Sequence, residues 1–458
     1  MTSAWIVAQL SCLACGSGPE RPNVLLLTVD TLRADRLGCY GEPSNAGPVL
    51  CSIADTGIRY VWAFSAAPST APAIASLHTS TYPSRHGVTQ FASTSLPNMA
   101  RTLAEEFRAA GYDTAAVVSN PVLGPGRNIG QGFDLYDTEM TRTERNRAGF
   151  MEREAEATTD TAFRWLSGAS EPWFLWVHYQ DPHGPYEPPG APRADDAAGA
   201  KRLPRLADHS GYRGIPAYQL LSGAFAPGTY EARYLDEIAY LDAEIARLLE
   251  RVDADERLPA IAVSSDHGEA FGEDDYWFAH GHSVGVEQVR VPLLWRPPGG
   301  GRAAVVHAPV STLDIAPTLL AAAGLPVPAS FQGVVLPRTD DASDASRVLF
   351  LEHRMRAGVV AGAHYYARDR SVLHGPMRDR ITGGLLRPLP ARTARLASGG
   401  AVGRYRPSAA GGAGEAAAQA LAPVLDRFVS ATGSPPEVDR EPLPEQTRQQ
   451  LEALGYLE

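Results

Sequence analysis

Lysine is almost absent from this chain. Lys201 is the single lysine among 41 basic residues, so positive charge is carried by arginine. There is no basic excess either: 52 acidic residues leave a net charge of −11. A general nucleic-acid binder gathers positive charge against phosphates, so that class is excluded. No stretch reaches the roughly 20 apolar residues of a transmembrane helix. No internal repeat is visible. Cysteine is scarce: Cys12, Cys15, Cys39 and Cys51 fit no zinc-ligand spacing. The rest of the composition, 44% hydrophobic and 20% charged, is that of an ordinary globular protein. Its 458 residues suffice for one large domain and a smaller one.

The opening "MTSAWIVAQLSCLACGSGPERPN" has an apolar run ending in small residues, then Cys15 and a Gly-Ser-Gly-Pro linker. It resembles a bacterial lipoprotein signal with Cys15 as the lipidated residue, although the basic n-region is missing. Residues 1–22 are therefore read as signal and linker. The protein is expected to be exported, periplasmic or membrane-anchored; without the signal it is cytoplasmic. Cys39 and Cys51 then remain, either a bridge in an oxidising compartment or two buried thiols.

Several apolar runs end in polar residues: "NVLLLTVD" at Asp30, "DTAAVVSN" at Asn120, "WFLWVHYQDPH" near Asp181 and His183, and "PAIAVSSDHG" at Asp266 and His267. Continuous runs of this length suit strands buried on both faces. Helical patterns alternate with them. "NMARTLAEEFRAAGY" stops at Gly111, and "YLDEIAYLDAEIARLLERV" spaces Leu235, Ile238, Leu241, Ile245 and Leu248 at threes and fours. Alternation of this kind argues an α/β fold. Ligands of such sheets bind beyond the carboxyl ends of strands, where Asp30, Asp181, His183, Asp266 and His267 fall. Residues 187–228, rich in Pro, Gly, Ala and charge, read as a long loop facing the site. Past about residue 335 periodicity weakens. The reading is a catalytic domain over 23–335 and a smaller C-terminal α+β subdomain over 336–458.

Six ordered segments carry a resemblance: "PNVLLLTVDTLRADRLGCYG", "YPSRHGV", "WVHYQDPHGPY", "SSDHGEAFGE", "VRVPLLWRPPG" and "VSTLDIAPTLLAAAGLPVP". The ending "EQTRQQLEALGYLE" adds to it. Together they resemble the sulfatase family of the alkaline phosphatase superfamily. The resemblance implies a mixed, mostly parallel central sheet flanked by helices, and ester hydrolysis at a metal site. It also implies a cysteine, converted to formylglycine, in a Cys-x-Pro-x-Arg frame. Here that frame reads Thr70-Ala71-Pro72-Ala73-Ile74, and both cysteine and arginine are gone.

Thr70 has two readings. It is an N-cap of the helix that "AIASLHTS" begins, or it is a nucleophile held at an anion-attracting helix start, with Ser69 adjacent. By resemblance the metal ligands are Asp30, Asp266 and His267, with Thr70 completing the shell. Thr31 stands where the family has a second aspartate, and His267 where it often has asparagine. One carboxylate fewer and an imidazole more favour manganese or zinc over calcium or magnesium. His183 matches a residue that contacts the transferred group. His282, and after it His280, take the place of a family lysine. Asp181, His183 and His282 are an alternative second metal site. His178, Arg85 and His86 read as structural, and Glu269 as orienting His267.

A formylglycine hydrate releases sulfate by collapsing to the aldehyde; a threonine ester has no such exit. A phosphothreonine is cleared by in-line attack of activated water. The expected function is therefore hydrolysis of a phosphate or phosphonate ester through Thr70. The substrate is a small-molecule, glycan-linked or lipid-linked anionic ester. The alternatives are sulfate-ester hydrolysis without formylglycine, and a non-catalytic binding protein on a decayed enzyme scaffold.

Overall fold

The computed structural model describes residues 21–89, 94–144, 151–254, 257–342, 344, 346–354, 356–369, 392–396 and 413–432. Cys12 and Cys15 lie outside them. An eight-stranded sheet forms the centre, from strands β1 (Val24–Val29), β2 (Ile58–Tyr60), β3 (Asp113–Val118), β4 (Leu135–Asp137), β5 (Trp173–Tyr179), β6 (Ala260–Ser265), β7 (Leu293–Arg296) and β8 (Ala304–Val306). Their spatial order is β8-β2-β7-β6-β1-β5-β3-β4. All neighbouring pairs are parallel except those made by β7, which runs against β6 and β2. β1 sits between β5 and β6, with Val29 level with Tyr179 and Ser265. The next residues of β1 and β6, Asp30 and Asp266, therefore emerge side by side at the carboxyl ends of two central strands.

The apolar runs are buried on both faces, as continuous hydrophobicity requires. Their alternate side chains feed two separate cores. Leu26, Phe174, Trp176 and Ala262 join one; Leu25, Leu27, Leu175, Val177 and Val263 join the other. The first core is covered by helices α1 (Thr70–Thr79), α2 (Leu103–Ala109) and α5 (Ile315–Ala322), and the second by α3 (Ala155–Leu166) and α4 (Pro227–Val252). Helix α2 starts at a capping box, Thr102 with Glu105, which satisfies two amides at once. Along α4 the buried stripe is Tyr234, Ile238, Leu241, Ile245 and Leu248, while Leu235 is only half-buried. Tyr234 takes the inner position because its hydroxyl clamps the site loop, donating to Thr31 O and accepting from Arg33 N.

A second sheet of four antiparallel strands follows: β9 (Val348–Glu352), β10 (Arg356–Ala361), β11 (His364–Asp369) and β12 (Arg392–Arg395). Helix α6 (Ala413–Ala431) packs on it through Leu421 and Leu425. Among the described residues no helix is long and apolar enough to cross a membrane.

Cys39 and Cys51 are bonded, with Cα atoms 5.7 Å apart across 12 residues of sequence. The loop they close is also held by Asp242, whose carboxylate accepts from Val49 N and Leu50 N. Loop-closure entropy gives such a bridge about 2–3 kcal/mol. The Cys39→Ser, Cys51→Ser double variant is expected to lose that amount in urea unfolding at unchanged secondary structure. An unchanged midpoint would show that the Asp242 bonds alone fix the loop.

Candidate active site

The site is built from the carboxyl ends of adjacent strands. Asp30 follows β1; Asp266 and His267 follow β6; all three are buried. One ligand atom from each lies within 4.8 Å of the others, and this is the only such cluster among the described residues. His267 Nε2 is 3.7 Å from Asp30 Oδ1 and 3.4 Å from Asp266 Oδ2. Its Nδ1 is 2.9 Å from Gly268 O, which suits an Nδ1 proton and leaves the Nε2 lone pair facing the carboxylates. Asp30 Oδ1 and Asp266 Oδ2 are buried without a hydrogen-bond partner.

The electrostatics agree with a cation-binding site. Burial, and next the Asp30 carboxylate, push Asp266 well above the usual carboxylate range. Burial also acts upward on Asp30, but His178, His183 and His267 bring it net below that range. Two carboxylates this close do not both ionise in a dry site unless a cation joins them. The residues therefore fit a divalent metal: two hard oxygens and one imidazole, all facing one point.

Thr70 opens α1 directly beside this cluster, with Oγ1 3.2 Å from His267 Nε2. It is not the N-cap. Ser69 has the extended cap conformation (φ −152°, ψ 151°), and Thr70 is the first helical residue. Ser69 makes no capping bond, and its hydroxyl is buried without a partner. Ala73 N already bonds Ser69 O, and Pro72 has no N–H, so the Thr70 and Ala71 amides precede the helical ladder. Ala73 and Ile74 are buried, Ile74 within the first core. Thr31 stands in the loop after Asp30 with φ 55°, a costly conformation for a β-branched residue. Its backbone N–H donates to Asp266 Oδ1.

Four expectations from sequence are corrected. The order of His282 and His280 is reversed. His280 lies against His267, with ring centroids 4.4 Å apart, whereas His282 stacks on Tyr276 at 3.7 Å with Nε2 2.8 Å from Gln288 Nε2. The two are separated by Gly281 in a left-handed turn (φ 72°), which sends their rings to different neighbours. Glu269 does not orient His267; its Oε1 is 3.3 Å from His280 Nδ1, and Tyr186 donates to its Oε2. Burial acts downward on the His280 ring, and Glu269 more than offsets this, so its pKa is raised. The second metal site of Asp181, His183 and His282 does not assemble. His183 packs near His280 at 5.2 Å, but Asp181 is turned toward Glu237 of α4. His178 is more than a core residue. It faces Asp30 Oδ2 at 3.7 Å, and its Nδ1 is 2.8 Å from Thr28 Oγ1, which accepts from Trp176 Nε1. Asn120, at the end of β3, also donates to Asp30 Oδ2. His86 is structural, bonded to Ser76 and Val88 N.

Burial, and next the neighbouring acidic groups, raise Asp181 to about 7; Glu237 is raised too, by burial and then by Asp181. A carboxyl whose folded pKa is raised contributes stability that is present below its unfolded pKa, near 4, and lost as pH rises toward 7. The Asp181→Asn variant is expected to show a flatter melting temperature between pH 4 and 7 than wild type. Parallel curves would show that the pair is solvated.

A buried metal-capable triad beyond the ends of parallel strands, with a hydroxyl at a helix start beside it, defines an alkaline-phosphatase-like ester hydrolase. The chain belongs to the sulfatase family, whose model matches residues 22–325. The uncharacterized sulfatase YidJ of Escherichia coli (strain K12) is 27% identical over 352 residues, covering 69% of this chain and 70% of that one. The arylsulfatase of Clostridium perfringens (strain 13 / Type A) is 27% identical over 385 residues, covering 69% and 78%. The phosphonate monoester hydrolase SpPMH from Silicibacter pomeroyi shares the fold, with TM-score 0.68 at 19% identity over 90% of this chain and 96% of that one.

Proposed function

We propose that this protein hydrolyses a phosphate or phosphonate ester, with Thr70 as the nucleophile. The observation that carries the reading is Thr70 Oγ1 at the start of α1, 3.2 Å from His267 Nε2 and beside two buried, unsatisfied carboxylate oxygens. Asp30, Asp266 and His267 would hold a divalent cation, manganese or zinc by donor set, which would supply charge to lower the hydroxyl pKa and neutralise phosphoryl oxygens. As Thr70 Oγ1 forms the O–P bond, its hydroxyl proton passes to solvent. The ester O–P bond breaks, and the alcohol leaves with a proton from His280 or His183. Water then attacks phosphorus, giving a proton to that same histidine, and the Thr70 O–P bond breaks as its oxygen takes a proton back from solvent. The first-turn amides and the two histidines hold the equatorial oxygens.

The curated relatives are named sulfatases, which favours sulfate esters as the second reading. The missing exit from a threonine sulfate argues against it. Bound metal is measured first on the purified chain. Aryl phosphate, phosphodiester, phosphonate and sulfate are then assayed side by side. Phosphorus-ester turnover in excess of sulfate turnover is expected; robust sulfate turnover would overturn the choice of acid, and a metal-free, inactive chain would point to a decayed scaffold.

We further infer export with attachment through Cys15, which the Cys39–Cys51 disulfide supports as a bond of oxidising compartments. The division at residue 335 is likewise our reading, supported by the separate four-stranded sheet that begins at Val348.

A further inference from the structure

Helix α4 reaches the candidate site at two points about one turn apart. Tyr234 clamps the loop after β1. Glu237, buried on the same helix, faces the loop after β5 instead. That loop runs from Asp181 to Glu187 and carries His183. Glu237 holds it at both ends. The Asp181 carboxyl is hydrogen-bonded to the Glu237 carboxyl, and the Glu187 backbone N–H donates to Glu237. The loop is in turn tied to the chemistry. His183 Nδ1 is 2.8 Å from Gly184 O, so the ring takes its direction from the loop backbone. Tyr186 donates to Glu269 Oε2 at 3.2 Å, and Glu269 Oε1 lies 3.3 Å from His280 Nδ1. Both histidines that face the leaving group therefore depend on one loop.

The Asp181–Glu237 contact requires a proton. Asp181 Oδ2 and Glu237 Oε2 are buried, and no amide, hydroxyl or cationic group donates to either. Two carboxyl groups in contact without a donor repel unless one of them is protonated. One shared proton turns that repulsion into an O–H···O bond of the strong, charge-assisted kind.

We propose that Glu237 is a positioning residue for both proton donors: a proton shared with Asp181 fastens the 181–187 loop, and with it His183 and the Tyr186–Glu269–His280 arm. This rests on the hydrolase reading of the same site. Glu237 acts through the loop, not on the substrate. Its loss should therefore be felt where the leaving group needs a proton, and hardly at all where it does not.

The test compares Glu237→Leu with Glu237→Gln in the manganese-loaded chain. Glutamine keeps an N–H for Asp181 and an oxygen for the Glu187 amide; leucine keeps neither. The substrates are phenyl phosphate, whose phenolate needs a proton as it leaves, and 4-nitrophenyl phosphate, whose weakly basic phenolate does not. Glu237→Leu is expected to lower kcat about 10- to 100-fold on phenyl phosphate and less than about 3-fold on the nitrophenyl ester. Glu237→Gln should stay within about 3-fold of wild type on both. Hydrogen exchange of the peptide over 180–188, read by mass spectrometry, needs no turnover. It should quicken about 10-fold in Glu237→Leu and not in Glu237→Gln. If Glu237→Leu does not fold, Asp181→Ala serves instead, with the same contrast between esters at about 3- to 10-fold. Equal losses on the two esters, unchanged exchange in Glu237→Leu, or a Glu237→Gln chain as impaired as Glu237→Leu would each overturn the assignment. The hydrolase reading fails differently: exchange responds as expected, yet wild type turns over neither ester.

Discussion

Thr70→Ala is expected to lower kcat by at least about 10³-fold, because removing a covalent nucleophile leaves only binding and charge stabilisation. The same variant should keep its metal, since Asp30, Asp266 and His267 remain as ligands. It should also keep its fold. Thr70 is the first residue of α1, not its cap, and alanine is a better helix former than threonine by a few tenths of a kcal/mol. A purely structural threonine would give the opposite pattern, with a lower melting temperature and a modest change in rate. Thr70→Ser returns a hydroxyl to the same helix position and should recover most of the activity. Rapid quench with an aryl phosphate supplies the direct readout: a phosphorylated wild-type peptide containing Thr70, absent from Thr70→Ala. Turnover within about 10-fold of wild type in Thr70→Ala would remove the threonine from the chemistry and transfer the question to Ser69, whose hydroxyl is buried beside it.

How much of this was legible in the sequence depends on what each residue needs in order to act. Asp30, Asp266 and His267 end apolar runs, and a strand end is visible in one sequence without knowing its neighbours. His178 and Asn120 act only through register. His178 lies inside the apolar run of β5 and reaches Asp30 because β5 pairs in parallel with β1, Thr28 level with His178. No local pattern states that pairing. His280 and His282 illustrate the same limit at shorter range: two residues apart, they part company at a left-handed glycine whose φ is not written in the sequence. The Thr31 conformation is equally hidden, since a β-branched residue is the last expected at φ 55°. The tertiary clamp from Tyr234 holds that loop on both sides. The long 187–228 segment could be recognised as a loop, but the placement of Tyr218 against His183 follows from packing with the turn around Phe278.

The second large effect concerns the carboxylates, and it separates a metal centre from an ordinary buried pair. Asp266→Asn is expected to weaken metal binding by more than the roughly 10- to 100-fold that losing an outer-shell partner costs, and to lower kcat by at least about 10³-fold. Its effect on stability should have opposite signs with and without metal. Asp266 is raised in the fold, by burial and then by Asp30, so its contribution is present below its unfolded pKa and lost as pH rises through the folded one. At pH 8 the metal-free wild type therefore confines two like charges, or one charge and a costly proton, in a dry site. Asparagine retains the acceptor for Thr31 N and His267 N but carries no charge. The metal-free variant should consequently be more stable than metal-free wild type, by about 1–3 kcal/mol. Added manganese or zinc should raise the wild-type melting temperature and leave that of the variant almost unmoved, so the order of the two proteins inverts. The measurement is thermal unfolding of both proteins at pH 5 and pH 8, in chelator and in saturating metal. A variant less stable than wild type in chelator at pH 8 would mean that the pair is satisfied without a cation; an inversion confined to pH 8 ties the stored repulsion to the same oxygens that Thr70 faces.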